Sequence, residues 1–249
     1  MMNKNIYNIN WFESLDSTQT YLKSLDLDFL PEWSIVATEN QTNGRGQSDN
    51  KWESDNRKDI TLSILLKPTF LPIADQFLIT QVLSLGIFDF LSKYLNNVFI
   101  KWPNDIYIKK NKICGMLVQN MVIGAEYSCA ICGIGLNVNH TVFHFAPNPT
   151  SMKLETGQEF LIENILFELL DCVKFRYDAL KLHQVSDYKK EYLEKLLYYN
   201  AWAKYSYNTE DIDARIVDVN EFGHLVLMKK GEKSVTAELK ELKFYHELA

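Results

Sequence analysis

Between residues 98 and 138, four apolar, strand-like runs follow one another with turn-sized breaks between them. Val98-Phe99-Ile100 leads into Lys101-Trp102-Pro103-Asn104-Asp105, in which Pro103 and Asn104 are turn residues. Ile106-Tyr107-Ile108 resumes the strand, and Lys109-Lys110-Asn111 has the polarity of a hairpin tip. Residues 113–122 and 127–138 complete the set. A chain with this succession is built around a sheet.

The flanking sequence supplies helices. Asp16-Ser17-Thr18 precedes Tyr21, Leu22 and Leu25, small oxygen-bearing residues ahead of an apolar i, i+3, i+4 pattern, which marks a helix start. Residues 34–38 and 60–66 read as strands, the second ending at Pro68, and residues 75–95, 158–182 and 186–197 read as helices. After residue 200 the character changes to short alternating runs at 213–219, 224–229 and 234–239, with Phe222-Gly223 and Lys230-Gly231 as turns. The expectation is an α+β fold in two parts. Residues 1–199 form a mixed sheet flanked by helices, and residues 200–249 form a small β-barrel-like module.

Composition narrows the function. A net charge of -6 over 249 residues argues against nucleic acid as a partner, which calls for a basic face. Cys114, Cys129, Cys132 and Cys172 sit in apolar surroundings, and the start of the chain carries no signal-peptide pattern, so reduced thiols and a cytoplasmic location are expected. The most apolar stretch, residues 77–91, is interrupted by Gln81, Gly86 and Asp89. It also falls short of the ~20 residues that span a bilayer, so it reads as a buried helix and no membrane partner is expected.

Four constellations carry candidate chemistry. Gly44-Arg45-Gly46-Gln47, after Gln41 and before Trp52, can turn sharply, present N–H groups to an anion and add a guanidinium fork, although alone it reads more readily as a plain loop. Lys101, Trp102, Asn104 and Asp105 place a cation, an aromatic plane and a carboxylate in one turn, which suits a nucleotide with its metal or amine partner. Lys112 opens an apolar strand in which Gly115 suggests close approach of a ligand or another backbone. Gly133-Ile134-Gly135-Leu136-Asn137 places glycines and an amide on a strand, and an amide pairs bidentately with an adenine edge. Cys129, Cys132, His140 and His144 have a metal-like spacing, but residues three apart on a strand point to opposite faces, which argues against zinc.

Taken in order, Asp16-Ser17-Thr18, Gly44-Arg45-Gly46, Lys101-Trp102-Pro103-Asn104-Asp105, Lys112 with Gly115, and Gly133-x-Gly135-x-Asn137 resemble the biotin–protein ligase family. The resemblance implies a class II synthetase-like catalytic domain with a C-terminal SH3-like barrel. It implies a two-step reaction: biotin and ATP, with Mg²⁺, give biotinyl-5′-adenylate and pyrophosphate, and a lysine of a biotin carboxyl carrier domain then displaces AMP. Arg45 and Lys112 would neutralise the approaching anions, and Asp105 would orient the lysine amine or help bind metal. Ser17, Thr18 and Gln41, with the backbone at Gly115, would match the biotin ureido ring, and Gly44 and Gly133 would belong to the biotin site. Trp52 would close over the chain or adenylate. Lys101, Asn104, Gly46, Gln47, Gly135 and Asn137 would meet the nucleotide, with Asn137 reading adenine.

The sequence departs from the family pattern in the glycine loop. Gln47 stands where many members are basic, Asp49 where they have glycine, and Asn50 where a second basic residue is frequent, so the loop is expected to grip adenylate less tightly. The catalytic pattern begins by Asp16, which leaves no room for the N-terminal helix-turn-helix that some members carry. A homodimer through a sheet edge remains open. The rival readings are a lipoate or octanoate ligase or transferase on a similar fold, and a non-catalytic biotin sensor.

Overall fold

The computed structural model describes residues 7–47, 50–124, 126–144, 146–183, 187–231 and 233–245. Seven strands, β1 (Asn8–Leu15), β2 (Ser34–Gln41), β3 (Asp59–Leu66), β4 (Val98–Lys101), β5 (Asp105–Ile108), β6 (Asn111–Ile123) and β7 (Glu126–Asn137), form one mixed sheet. Their order is β1-β2-β3-β7-β6-β5-β4. β1 and β2 run parallel, joined through the short helix α1 (Thr18–Ser24), and the remaining neighbours are antiparallel. β1 has no counterpart in the sequence reading. It is an edge strand, NINWFESL, with no residue fully buried, so it lacks the apolar alternation by which strands are recognised.

The two-residue period of the strands sorts the side chains into unequal layers. Ala130, Cys132, Ile134 and Leu136 of β7 face the main core, which they share with α2 (Phe77–Leu91), α4 (Ile162–Lys181) and α5 (Tyr188–Lys195). Cys129 and Ile131 face the other way, into a small cluster with Leu22 of α1, Val36 and Leu65. The two cysteines of the metal-like spacing therefore lie on opposite faces of the sheet.

The helices are shorter than expected. Residues 75–95 resolve into a 3-10 turn, Ile73–Asp75, followed by α2. A five-residue helix, α3 (Met152–Thr156), caps on Ser151 and ends at Gly157, whose φ of +73° is the left-handed conformation glycine adopts without cost. Residues 73–91 are long and apolar enough to cross a membrane on composition. Most of α2 is nevertheless buried between the sheet and its neighbouring helices, which is the situation that calls for a helix apolar all round. Arg176 ties the helix layer together with paired hydrogen bonds to Asp89 of α2, at 2.6 and 2.9 Å, and to Glu191 of α5, both at 2.7 Å.

A second sheet follows, made of β8 (Trp202–Tyr207), β9 (Glu210–Val219), β10 (Leu225–Lys229), β11 (Ser234–Ala237) and β12 (Leu242–Phe244), in the order β11-β10-β9-β8-β12. The expected barrel is an open antiparallel sheet: β11 and β12 are its two edges and do not pair. Closure is unnecessary because the inner face is already covered. Tyr205, Ala214, Ile216, Leu225, Leu227 and Phe244 are continuous with the main core.

Gly86 of α2 is where α4 comes closest. A Cβ placed there would lie 2.7 Å from the Cα of Val173, a backbone atom that cannot rotate away. Gly86→Ala therefore sets a helix-propensity gain of up to about 1 kcal/mol against an overpacking cost of about 1–3 kcal/mol. A net destabilisation is expected in urea unfolding, with a lower midpoint and an unchanged slope.

Candidate active site

α1 covers one end of its face of the sheet. Beyond it, β3, β6 and β7 present Thr61, Ser63, Gly115, Gly133 and Gly135, and a cavity of about 680 Å³ opens over them. That volume suits a small-molecule substrate. The chain from Gly44 to Trp52 folds back on itself to form one wall. Trp52 N–H donates to the Gly44 carbonyl at 3.0 Å, Gly46 N–H donates to the Asn50 carbonyl at 2.7 Å, and Arg45 and Lys51 form an antiparallel bridge. The Gly46 N–H is thus committed within the loop, contrary to the expectation that it faces an anion.

The indole of Trp52 lies flat on the sheet. A Cβ at Gly135 would collide with its five-membered ring, and one at Gly115 would come within 3.0 Å of Cζ3. Both glycines are needed because the ring occupies the space a side chain would take. Trp52 therefore forms the floor of the cavity. Its Nε1 is buried without a partner among the described residues, a donor left for a bound group.

One end of the cavity is neutral and polar. Thr18 N–H donates to Gln41 Oε1 at 3.0 Å, the Thr18 and Ser63 hydroxyls are 2.9 Å apart, and Ser63 Oγ donates to Gln19 Oε1 at 3.1 Å. Gln19 Nε2 donates in turn to the Ile131 carbonyl at 3.0 Å. Ser17 Oγ accepts from Thr20 N–H at 3.3 Å, which leaves its hydroxyl proton facing other partners. Gln19 and Ser63 escaped the sequence reading. The signal was present in Ser63, a polar residue inside the otherwise apolar run 60–66.

The other end is cationic. Arg45, Lys51, Lys101, Lys112, Lys240 and Lys243 line the cavity, against one carboxylate among the described residues, Asp105. Lys112 Nζ donates to Asp105 Oδ2 at 2.7 Å and lies 5.7 Å from the Trp52 ring centroid. Lys101 is buried, with Nζ 5.0 Å from the centre of the Phe244 ring. The turn that carries Lys101 and Asp105 is held from three sides. Asn104 Nδ2 donates to the Met116 carbonyl, Tyr192 Oη donates to the Pro103 carbonyl at 2.6 Å, and Trp102 Nε1 donates to the Gly223 carbonyl at 2.8 Å. The Trp102–Pro103 peptide is cis.

Of the residues singled out from sequence, Ser17, Thr18, Gln41, Arg45, Gly46, Gln47, Trp52, Lys101, Asn104, Asp105, Lys112, Gly115, Gly133 and Gly135 all line this one cavity. Gly44, Trp102 and Asn137 do not; the Trp102 ring, expected as an aromatic plane for a nucleotide, is buried in the main core. Gly44 packs behind the wall, where a Cβ would lie 2.5 Å from the Trp52 carbonyl oxygen. Asn137 Nδ2 donates to the Thr150 carbonyl at 2.9 Å. That bond uses one of the two N–H donors of the amide and leaves the other, together with a buried Oδ1 that has no partner among the described residues. The amide thereby pins residues 148–150 beside Lys112, whose N–H donates to the Asn148 carbonyl at 2.7 Å. Asp49 lies outside the described residues. Sequence reasoning also passed over Lys51, one position beyond the Asn50 that departs from the family pattern, and over Lys240 and Lys243, which come from the second sheet.

The remaining wall is anchored by a buried pair. His140 Nδ1 is 2.9 Å from Asp59 Oδ2, and His140 Nε2 is 2.7 Å from the Val142 carbonyl. Burial acts to lower the His140 pKa, but two acceptors facing the two ring nitrogens favour the imidazolium, and the net direction is upward. Glu53, next to Trp52, accepts from His144 N–H at 2.8 Å and from Ala146 N–H at 3.2 Å, joining this wall to the first. A raised native pKa stabilises the fold fully below the unfolded value of about 6.5, and the contribution fades as pH rises through the native value. The melting temperature of wild type should therefore exceed that of His140→Gln most at pH 5.5–6, by a margin that narrows towards pH 9. A margin independent of pH would contradict the pairing.

Comparison with known proteins adds a lineage to this geometry. The model of the biotin/lipoate A/B protein ligase family matches residues 11–137, about half of the chain. The bifunctional ligase/repressor BirA of Bacillus subtilis is 26% identical over 178 residues, 70% of this chain and 54% of that protein. The biotin–[acetyl-CoA-carboxylase] ligase of Mycobacterium tuberculosis is 25% identical over 122 residues, 47% of this chain and 44% of that protein. The chain thus spans about half the length of the curated relatives it matches. Among solved structures, the biotin protein ligase of Aquifex aeolicus in complex with biotin and ATP superposes with a TM-score of 0.74 at 24% identity, covering 95% of this chain and 97% of that one. The Leishmania major ligase in complex with biotin gives 0.61 at 16%, covering 93% and 98%. The structural likeness shows a shared fold, and the family match extends it to descent: the chain belongs to the biotin/lipoate A/B protein ligase family.

Proposed function

We propose that the chain activates biotin with ATP, forms biotinyl-5′-adenylate, and transfers the biotinyl group to a lysine of a carboxylase carrier domain. The observation that carries this reading is the charge of the cavity. In a protein with a net charge of -6, the described residues around a single pocket include six cationic side chains and one carboxylate. Joining a carboxylate to the α-phosphate of ATP brings like charges together, and fixed cations are what make the approach possible.

The neutral end is matched to a ureido ring. Ser17 Oγ and Gln41 Nε2 are donors for its carbonyl, while Thr18 and Ser63 complete the ring of hydrogen-bonding groups. Lys112 sits between the two ends and stabilises charge developing at the α-phosphate. Asp105 holds the Lys112 ammonium in place and is the acceptor nearest to it for an incoming amine. Asn137 Oδ1 is an acceptor for an exocyclic amine of the base. Mg²⁺ enters as part of the nucleotide substrate, held by phosphate oxygens. Among the described residues no group of three His, Cys, Asp or Glu side chains forms a resident metal site, and Asp105 is already paired.

Biotin-dependent ATP–pyrophosphate exchange tests the reading, with lipoate and octanoate in parallel. Exchange with biotin alone is expected, because a substrate without the ureido group leaves the donors of the neutral end unmatched, at about 1–3 kcal/mol each. Exchange with lipoate but not biotin would assign the chain to the other branch of its family, and biotin binding without exchange would make it a sensor. Lys112→Gln is expected to slow exchange at least about a hundredfold while biotin affinity changes little, the pattern of a group that acts on charge developing in the transition state.

A further inference from the structure

Helix α1 carries a long amide where its inner face meets the sheet. Gln19 is buried, and its side chain lies across β6 and β7: Nε2 donates to the Ile131 carbonyl at 3.0 Å and to the Leu117 carbonyl at 3.3 Å. The sheet is bare where the amide crosses it, since a Cβ at Gly133 would lie 2.7 Å from Gln19 Oε1. Carbonyl oxygens only accept, so the amide has one orientation, with Oε1 turned to Ser63.

That orientation propagates to the next two hydroxyls. Ser63 Oγ, 3.1 Å from Gln19 Oε1, gives its proton to that oxygen. In its 2.9 Å contact with Thr18 it is therefore the acceptor, and the Thr18 hydroxyl is the donor. Both hydroxyl protons are spent within the protein, and Thr18 Oγ1, which lines the cavity, keeps its lone pairs. Gln41 is fixed by the same logic: its Oε1 accepts Thr18 N–H at 3.0 Å, so its Nε2 is the donor left over. The neutral end thus presents an acceptor at Thr18 beside a donor at Gln41.

We propose that Gln19 is a positioning residue for substrate selection: by fixing the direction of the Thr18–Ser63 hydrogen bond it makes that pair acceptor-only, so the site takes a ring N–H there and rejects a ring oxygen. This rests on the biotin reading above and says which part of the ureido group meets Thr18. Without Gln19, the partner that remains to the Ser63 proton among the described residues is Thr18, and the pair reverses. Thr18 then spends a lone pair on Ser63. Its own proton is left with Gln41 Oε1, a longer contact at 3.4 Å that Thr18 N–H already uses, or with the cavity.

The test is calorimetric titration of the whole chain with biotin and with the two cyclic carbamates in which a ring oxygen replaces one or the other ureido N–H. Wild type is expected to bind at least one carbamate about tenfold or more weaker than biotin, because an oxygen then faces an oxygen. In Gln19→Met, biotin binding should weaken about tenfold, and the preference over that carbamate should shrink to about threefold or less. In a Ser63→Ala background the same Gln19 substitution should cost no more than about twofold, since no Ser63 proton remains to be directed. Titration with Mg²⁺ and α,β-methylene-ATP, a nucleotide that cannot lose pyrophosphate, reads the cationic end, where Gln19→Met should stay within about twofold of wild type. Equal binding of biotin and both carbamates by wild type overturns the proposal without any substitution. So do losses from Gln19→Met and Ser63→Ala that simply add, or an equal loss of nucleotide binding, since either makes Gln19 structural. A wild type that does not bind biotin removes the biotin reading and the proposal together, whereas one that binds biotin without preference removes the proposal alone.

Discussion

A sheet can hold an aromatic ring flat against its backbone only where side chains are missing, and the site of this protein is arranged around one such contact. Gly115 and Gly135 on neighbouring strands make room for the indole of Trp52. That contact fixes the loop from Gly44 to Trp52 against the sheet. It sets the cavity floor, and it gives Lys112 an aromatic face 5.7 Å from its ammonium. Removing either hydrogen atom in favour of a methyl group lifts the ring and with it the loop that carries Arg45 and Lys51. The glycines serve the tryptophan, and through it the ligand.

The same face of the sheet divides recognition from chemistry. Near α1 the polar groups satisfy one another through Thr18, Gln41, Ser63 and Gln19, which rigidifies them and fixes which lone pairs and protons remain for a substrate. At the far end the groups are charged and nearly all of one sign. Such an arrangement is self-repulsive in the absence of a polyanion, and the Lys112–Asp105 pair offsets part of that repulsion. The site is thus complementary to an anion that must arrive, while the neutral end is complementary to a group that hydrogen-bonds without charge.

Much of this was legible in the sequence because the site residues lie in short contiguous motifs, and each motif stays together wherever its strand goes. The central strands and most of the singled-out residues converge on one cavity. What the sequence concealed has physical causes. β1 is an edge strand with little apolar content, so nothing in its pattern marks it as a strand. The second sheet looked like a barrel because its strands are short and alternate, yet its inner face is covered by the main core, which removes the reason to close. Asn137 also holds the chain at Thr150, a contact across thirteen residues that no motif marks. Lys240 and Lys243 stand more than a hundred residues from the other cations, and no spacing rule joins them to a site that forms only when two sheets are packed together.

The central claim is that a side-chain-free stretch of sheet seats Trp52 and thereby creates the binding cavity. Gly135→Ala tests it with a single methyl group, read by calorimetric titration with biotin and, separately, with the unreactive nucleotide and Mg²⁺, alongside circular dichroism. The account predicts that affinity for both ligands falls together, by about tenfold or more, corresponding to about 1.4 kcal/mol each, while the fold is retained. Wild-type affinity for both ligands in a folded Gly135→Ala protein would contradict it, because the ring would then have no need of the bare sheet.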